Sequence, residues 1–155
     1  MSVSDPTDPA DPTEPGDGGA TRRPVPAEVV LAVEDLPVAV AAACRGAAAK
    51  QGHDTIVLAV GDVLAIAEHF VISSAPNDRQ VKAIAEEVAH AVQVAEGRKP
   101  LRSEGLDTLR WVLLDYGDLV VHVFLDADRS FYELERLWAD VPRLSWDAVE
   151  AAERG

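Results

Sequence analysis

Apolar and polar positions along this chain switch repeatedly between a helical period and a strand period, and each switch marks an element. Val40, Cys44, Ala47, Ala48 and Gln51 recur at helical spacing through an alanine-rich stretch. Asp35-Leu36-Pro37 predicts its opening, since an acid caps there and proline costs nothing in a first turn, and Gly52 predicts a left-handed stop. Thr55-Ile56-Val57-Leu58-Ala59-Val60 is short, rich in β-branched residues and closed by Gly61-Asp62, the pattern of a buried strand and a turn. His69-Phe70-Val71-Ile72-Ser73 predicts a second strand. Ala75-Pro76-Asn77-Asp78 then breaks the pattern, and Asn77 with Gln80 has capping-box spacing. The helix that follows places Val81, Ile84, Ala85, Val88, Val92 and Ala95 on one face and Lys82, Glu86 and Glu87 on the other, ending at Gly97 before Pro100.

Lys99 to Ser103 predicts a short strand, and Trp111 to Leu125, interrupted by Asp115-Tyr116-Gly117-Asp118, predicts a hairpin. Phe131, Leu134, Leu137 and Trp138 fall at the spacing of a closing helix. With a two-residue loop at Tyr116-Gly117, Asp115 faces Asp118, Leu113 faces Val120 and Trp111 faces His122. One side of the hairpin is then aliphatic throughout: Val112, Leu114, Leu119, Val121, Val123 and Leu125. The other carries Leu109, Trp111, Leu113, Asp115, Asp118, Val120, His122 and Phe124, too mixed to be buried cheaply. Aromatic anchors among aliphatic residues, rimmed by acids, are the makings of a protein interaction surface. Its candidate partner-binding residues are Trp111, Leu113, Asp115, Tyr116, Asp118, Val120, His122 and Phe124, with Trp111 the central anchor. The competing reading packs this face beneath an amino-terminal helix or loop. A homo-oligomer that uses the face on itself is a further possibility.

Composition narrows the function classes. The chain has 155 residues, 48% of them hydrophobic, enough for one ordinary core. Residues 1–27 hold six of the ten prolines, five acids and no aromatic residue, which predicts a disordered tail. Residues 28–143 form the expected domain, and 144–155 an extension with a turn or two of helix from Ser145. No apolar run is long enough to span a membrane, so the expectation is a cytosolic protein. The single cysteine, Cys44, forms no internal disulfide and reads as core filler, while His53, His69, His90 and His122 are too scattered for a zinc set. No metal and no cofactor are expected. The net charge of −13 repels phosphate backbones, and the tail's five acids and two arginines account for only three of those charges. A basic protein partner therefore fits better than RNA, with little direct nucleic-acid contact.

These segments together resemble the Iojap-related ribosomal silencing factors. The resemblance runs from about Asp35 to Arg143 and rests on blocks in order at fixed spacing. They are Asp54 to Val60, His69-Phe70-Val71-Ile72-Ser73-Ser74, Arg79 to Val88, Pro100-Leu101, and Glu104-Gly105 ahead of Trp111. The hairpin blocks Trp111 to Asp118 and Val121-His122-Val123-Phe124 follow, then Phe131 to Trp138. Ser74-Ala75-Pro76-Asn77 departs from the family's usual Thr-Gly turn and Ser-Asn. The resemblance implies an α/β chain of the α+β type, a mixed β-sheet flanked by helices, similar to a nucleotidyltransferase fold without its catalytic carboxylates. It implies docking on the large ribosomal subunit through large-subunit ribosomal protein fourteen, as a monomer or weak homodimer. Such a cap hinders joining of the small subunit and represses translation when nutrients run short. Organellar relatives are tied instead to large-subunit assembly.

The rival class is a working nucleotidyltransferase, which holds metal ions with carboxylates two residues apart and cradles phosphates with a Gly-Ser turn. Asp126-Ala127-Asp128 has the carboxylate spacing, but no such turn precedes it, and the pair stands where acids cap the last helix. No Gly-x-Ser-x-Gly elbow is present, and His122 has no evident nucleophile beside it. The expectation is a non-enzyme.

Overall fold

The computed structural model describes residues 31–154 apart from residue 65, so the expected tail at 1–27 lies outside the described residues. A 3-10 turn at Val33–Asp35 leads into helix α1 (Val38–Ala49), strands β1 (His53–Ala59) and β2 (His69–Ala75), and the long helix α2 (Asp78–Glu96). Strand β3 (Arg102–Glu104) and the hairpin β4 (Trp111–Asp115) and β5 (Leu119–Leu125) follow. The chain then continues through α3 (Asp126–Tyr132), a 3-10 segment at Leu134–Trp138, strand β6 (Arg143–Ser145) and helix α4 (Trp146–Arg154). The six strands form one sheet in the order β3-β4-β5-β2-β1-β6. Every neighbouring pair is antiparallel except β2 and β5, which makes the sheet mixed.

Helices α1 and α2 cover one face, burying Val40, Cys44, Ala47, Val81, Ile84, Val88 and Val92 against Val57, Val71, Val112, Leu114, Val121 and Val123. Burial pushes the Cys44 thiol up to about 12, which keeps it protonated and inert. The opposite face carries a smaller core of Leu58, Phe70, Ile72 and Phe124, covered by Val60 and Ala67 at one end and by Val141 at the other. The fold thus has two unequal layers of cover.

Local chemistry explains the secure elements. Asn77 caps α2 by accepting from the Gln80 backbone N–H at 2.8 Å, and Gly97 ends it at φ +69 with its N–H on the Gln93 carbonyl. The Gln80 side chain does not return to Asn77 but donates to the Lys50 and Gln51 carbonyls, tying the end of α1 to the start of α2. Gly105, at φ +85, lies so close to the Trp111 carbonyl that a Cβ has no room, which ties Glu104-Gly105 to the tryptophan seven residues on.

Several expectations are corrected. Helix α1 starts after Pro37 with no side-chain cap, because Asp35 is taken into the preceding 3-10 turn. Its left-handed residue is Gln51 at φ 61 rather than Gly52. Ala95, expected on the buried face of α2, is exposed, since the helix runs past the sheet by its last turn. The single closing helix is broken at Glu133, which adopts φ 49, so Leu134 and Trp138 turn toward the sheet while Phe131 and Leu137 stay 79% and 76% exposed. After Arg143, β6 pairs with β1, and α4 buries Trp146, over whose ring Arg45 sits at 5.8 Å. Asp147 accepts from the backbone N–H groups of Asp54 and Thr55, fastening α4 to β1.

Candidate functional site

The hairpin pairs Asp115 with Val120, Leu113 with His122 and Trp111 with Phe124. This is two residues further along the return strand than a Tyr116-Gly117 loop gives. The loop is Gly117-Asp118, closed by the Tyr116 N–H on the Leu119 carbonyl at 2.8 Å. Gly117 takes φ +92 and donates its N–H to Asp115 Oδ1, which favours this position for the turn. Because side chains alternate with period two, a two-residue slip leaves every strand residue on its expected side. The loop residues change, and so does Leu109, which at φ 58 ahead of the strand packs against the helix-covered core instead of the mixed face.

Trp111, Leu113, Asp115, Val120, His122 and Phe124 therefore share the face opposite α1 and α2, but at different depths. Phe124 is fully buried, stacked beneath Trp111 with ring centroids 4.7 Å apart. His122 is also buried, edge-on to Phe70 at 4.8 Å. Trp111, Leu113, Asp115 and Val120 are half-buried. Tyr116 does not join them. It lies buried on the helix side, where desolvation raises its hydroxyl pKa and Arg98 sits over its ring at 5.6 Å. Asp118 stands at the tip, but Arg98 donates to it at 2.5 Å, which holds its carboxyl below the usual carboxylate range. Tyr116 and Phe124 thus present no surface to a partner.

Between the hairpin and the turn before β2 lies a groove of about 290 Å³. Leu113, Val120 and His122 line it beside Leu64, Phe70 and Leu101, with Asp115 and Arg102 at its polar margin. Leu101 and Ile66 on its rim are 78% and 80% exposed. Sequence reasoning missed these wall residues because they fall outside the hairpin. The available signal was the unbroken apolar run from Val63 to Ala67 in a link between strands, together with Leu101 after Pro100.

Within the groove face, Trp111 Nε1–H donates to His122 Nδ1 at 3.1 Å. An indole nitrogen only donates, so Nδ1 must accept and the ring proton sits on Nε2. Burial pulls the His122 pKa down to about 4, which keeps the ring neutral. Nε2 is shut off from solvent and has no hydrogen-bond partner among the described residues.

A larger, polar cleft of about 710 Å³ opens at the end of β2 and β5, lined by His53, Ser74, Asp126, Arg129, Glu133, Glu135 and Arg136 among others. Its charges are largely spent on one another. His53 meets Asp126 at 2.7 Å, Arg129 spans Ser74 and Glu135, and Arg136 pairs with Glu133. Asp128, the second carboxylate of the Asp126-Ala127-Asp128 pattern, takes both donors of Arg110 at 3.0 and 2.7 Å. The two acids stand in the first turn of α3 without capping it, Asp126 engaged by His53 and Asp128 by Arg110.

A family model described as "Ribosomal silencing factor during starvation" matches residues 33–155. The chain belongs to this family. Ribosomal silencing factor RsfS of Bacillus subtilis (strain 168) is 40% identical over 107 residues, covering 69% of this chain and 87% of its own. The mouse protein named "Mitochondrial assembly of ribosomal large subunit protein 1" is 28% identical over 123 residues, 78% of this chain and 52% of its own. Among solved structures, a Chromobacterium violaceum protein superposes with a TM-score of 0.63 at 31% identity, over 66% of this chain and 87% of its own. A silencing-factor family is regulatory rather than enzymatic, and that reading applies to this member. Its matched region includes β6 and α4, beyond the Arg143 limit drawn from the sequence blocks.

Proposed function

We propose that this silencing factor docks on the large ribosomal subunit through the groove-bearing face of its sheet. Its contact there is large-subunit ribosomal protein fourteen, and the docked protein stands in the way of the small subunit, lowering translation when nutrients run short. The observation that carries the reading is the exposed apolar groove on a face that the helices leave open. The net charge of −13 supports a basic protein contact over an RNA one. Leu113, Val120 and His122 form the contact centre, Asp115 the rim, and Trp111 the adjoining shoulder.

The test is co-sedimentation with isolated large subunits together with binding to purified large-subunit protein fourteen in the absence of RNA. Both are expected. Affinity for naked ribosomal RNA with none for the protein overturns the reading. The mouse relative's name favours a second reading, in which the same docking serves large-subunit assembly. Depletion then separates the two: incomplete large subunits during growth point to assembly, and an excess of joined ribosomes in starved cells points to silencing.

A further inference from the structure

The polar cleft is separate from the docking groove, and the charges left over in it have the inverse pattern of one class of small molecule. We propose that this cleft, at the carboxyl ends of β2 and β5, binds a free basic α-amino acid.

Its place in the fold is that of a ligand site. The parallel neighbours β2 and β5 end side by side, with Ala75 opposite Leu125. The chain leaves β2 for α2 on one face of the sheet and leaves β5 for α3 on the other, where Tyr132 meets Trp111 at 5.0 Å. Strands whose chains part to opposite faces open a crevice at their carboxyl ends, the usual seat of a small ligand on such a sheet. Here that crevice is the cleft of about 710 Å³. Buried Ser74 and Arg129, joined at 3.0 Å, form part of its lining. Its β1 wall is irregular, since the register shifts between His53 and Ile56 and Asp54 takes φ 51, the kind of departure that re-aims a side chain beside a site.

Charge selects the ligand. Three arginines and five acids line the cleft. Internal pairing takes Arg129 with Glu135, Arg136 with Glu133, and Asp126 with His53. One guanidinium and two carboxylates remain. Arg143 donates to the Trp138 carbonyl at 3.4 Å and pairs with no carboxylate among the described residues. Asp147 accepts from the Asp54 and Thr55 N–H groups, which leaves its charge in place, and exposed Asp54 lines the cleft beside it. Neither acid pairs with a lysine or arginine among the described residues. A phosphate is repelled by the two acids, and a diamine leaves Arg143 unmatched. A basic α-amino acid carries one carboxylate, for Arg143, and two cations, for Asp54 and Asp147. Its aliphatic stem has Ile56 to lie against.

NMR of the full-length protein at physiological ionic strength follows titration with L-lysine and with L-arginine. The controls are L-glutamine, which lacks the side-chain cation, and cadaverine, which lacks the carboxylate. Saturable shifts confined to residues around 53–54 and 143–147 are expected below about 10 mM for both basic amino acids, with each control about fivefold weaker or more. Two variants then remove the preferences one at a time. Arg143→Gln is expected to bind lysine no better than cadaverine, and Asp54→Asn to bind lysine no better than glutamine. Asparagine tolerates the left-handed backbone at position 54, so the second variant keeps the fold. Cadaverine that binds the wild type as well as lysine does reduces the effect to attraction of any cation by an acidic surface and overturns the proposal. Shifts that never saturate, or that spread over the whole surface, overturn it too. A basic peptide that binds in the cleft where free lysine does not assigns the site to a protein segment, which also overturns it. If Arg143→Gln unfolds, Asp54→Asn and the cadaverine comparison decide.

Discussion

On the helix-covered side of the hairpin, Val112, Leu114, Val121 and Val123 are all buried. On the other side, adjacent residues of the same two strands divide between buried His122 and Phe124 and half-exposed Trp111, Leu113 and Val120. The two faces differ in what covers them. Among the described residues, two helices of 12 and 19 residues lie across the first, whereas turns, the end of α3 at Tyr132, a 3-10 segment and the chain before β6 lie against the second. A helix seals a face along its whole length, whereas irregular chain with its own backbone groups to satisfy covers only in patches. The uncovered patch is the groove.

The largest expected effect divides the open face itself. Phe124→Ala removes a fully buried ring beneath Trp111 and is expected to cost about 3–5 kcal/mol of stability. Leu113→Ala, two strand positions from it on a groove wall, is expected to cost about 1 kcal/mol or less while weakening partner binding about tenfold or more. Chemical denaturation paired with a binding titration measures both. Equal stability losses would erase the distinction between the buried and the docking parts of this face.

A second effect comes from acid. The folded protein holds His122 near 4, whereas the unfolded chain holds it near 6.5, so below about 6.5 the unfolded state binds more protons. The stability that this histidine contributes is present above that value, falls as the pH drops and is lost below about 4. The sum is on the order of 3 kcal/mol. His69, whose pKa is also lowered by burial, acts in the same direction. Denaturation midpoints across this range, compared with those of His122→Gln, isolate the His122 share, and identical pH slopes for the two proteins would refute it.

The smallest effect belongs to the helix-covered face. Asn77→Ala removes the acceptor for the Gln80 N–H and is expected to lower stability by about 1 kcal/mol with partner affinity unchanged. A loss of affinity at that distance would couple the two faces that the structure keeps apart.

Much of this was legible in the chain, for identifiable reasons. The α2 boundaries followed from Asn77 and Gly97, because caps are local chemistry. The mixed sheet and the family followed from ordered blocks. The sidedness of the hairpin survived a wrong loop because a slip of two preserves alternation. Tyr116 was misplaced because the sequence reading put it in the loop, whereas with the loop at Gly117-Asp118 it continues the alternation of Val112 and Leu114 on the helix side. The closing helix was misread because Phe131, Leu134, Leu137 and Trp138 keep helical spacing across Glu133, and periodicity does not register one left-handed residue.

The sequence by itself determined which residues alternate and which helices are capped, since both depend on neighbours a few positions apart. It also determined the acidic charge that suits a basic protein partner. Only the tertiary structure decided how deep each hairpin residue lies, because depth depends on segments distant in the chain. Leu64, Ile66, Ala67 and Leu101 close in on Leu113 and Val120, while Trp111 takes one nitrogen of His122 and leaves the other without a partner among the described residues. Local pattern specifies a side of the sheet, but long-range packing specifies what covers it.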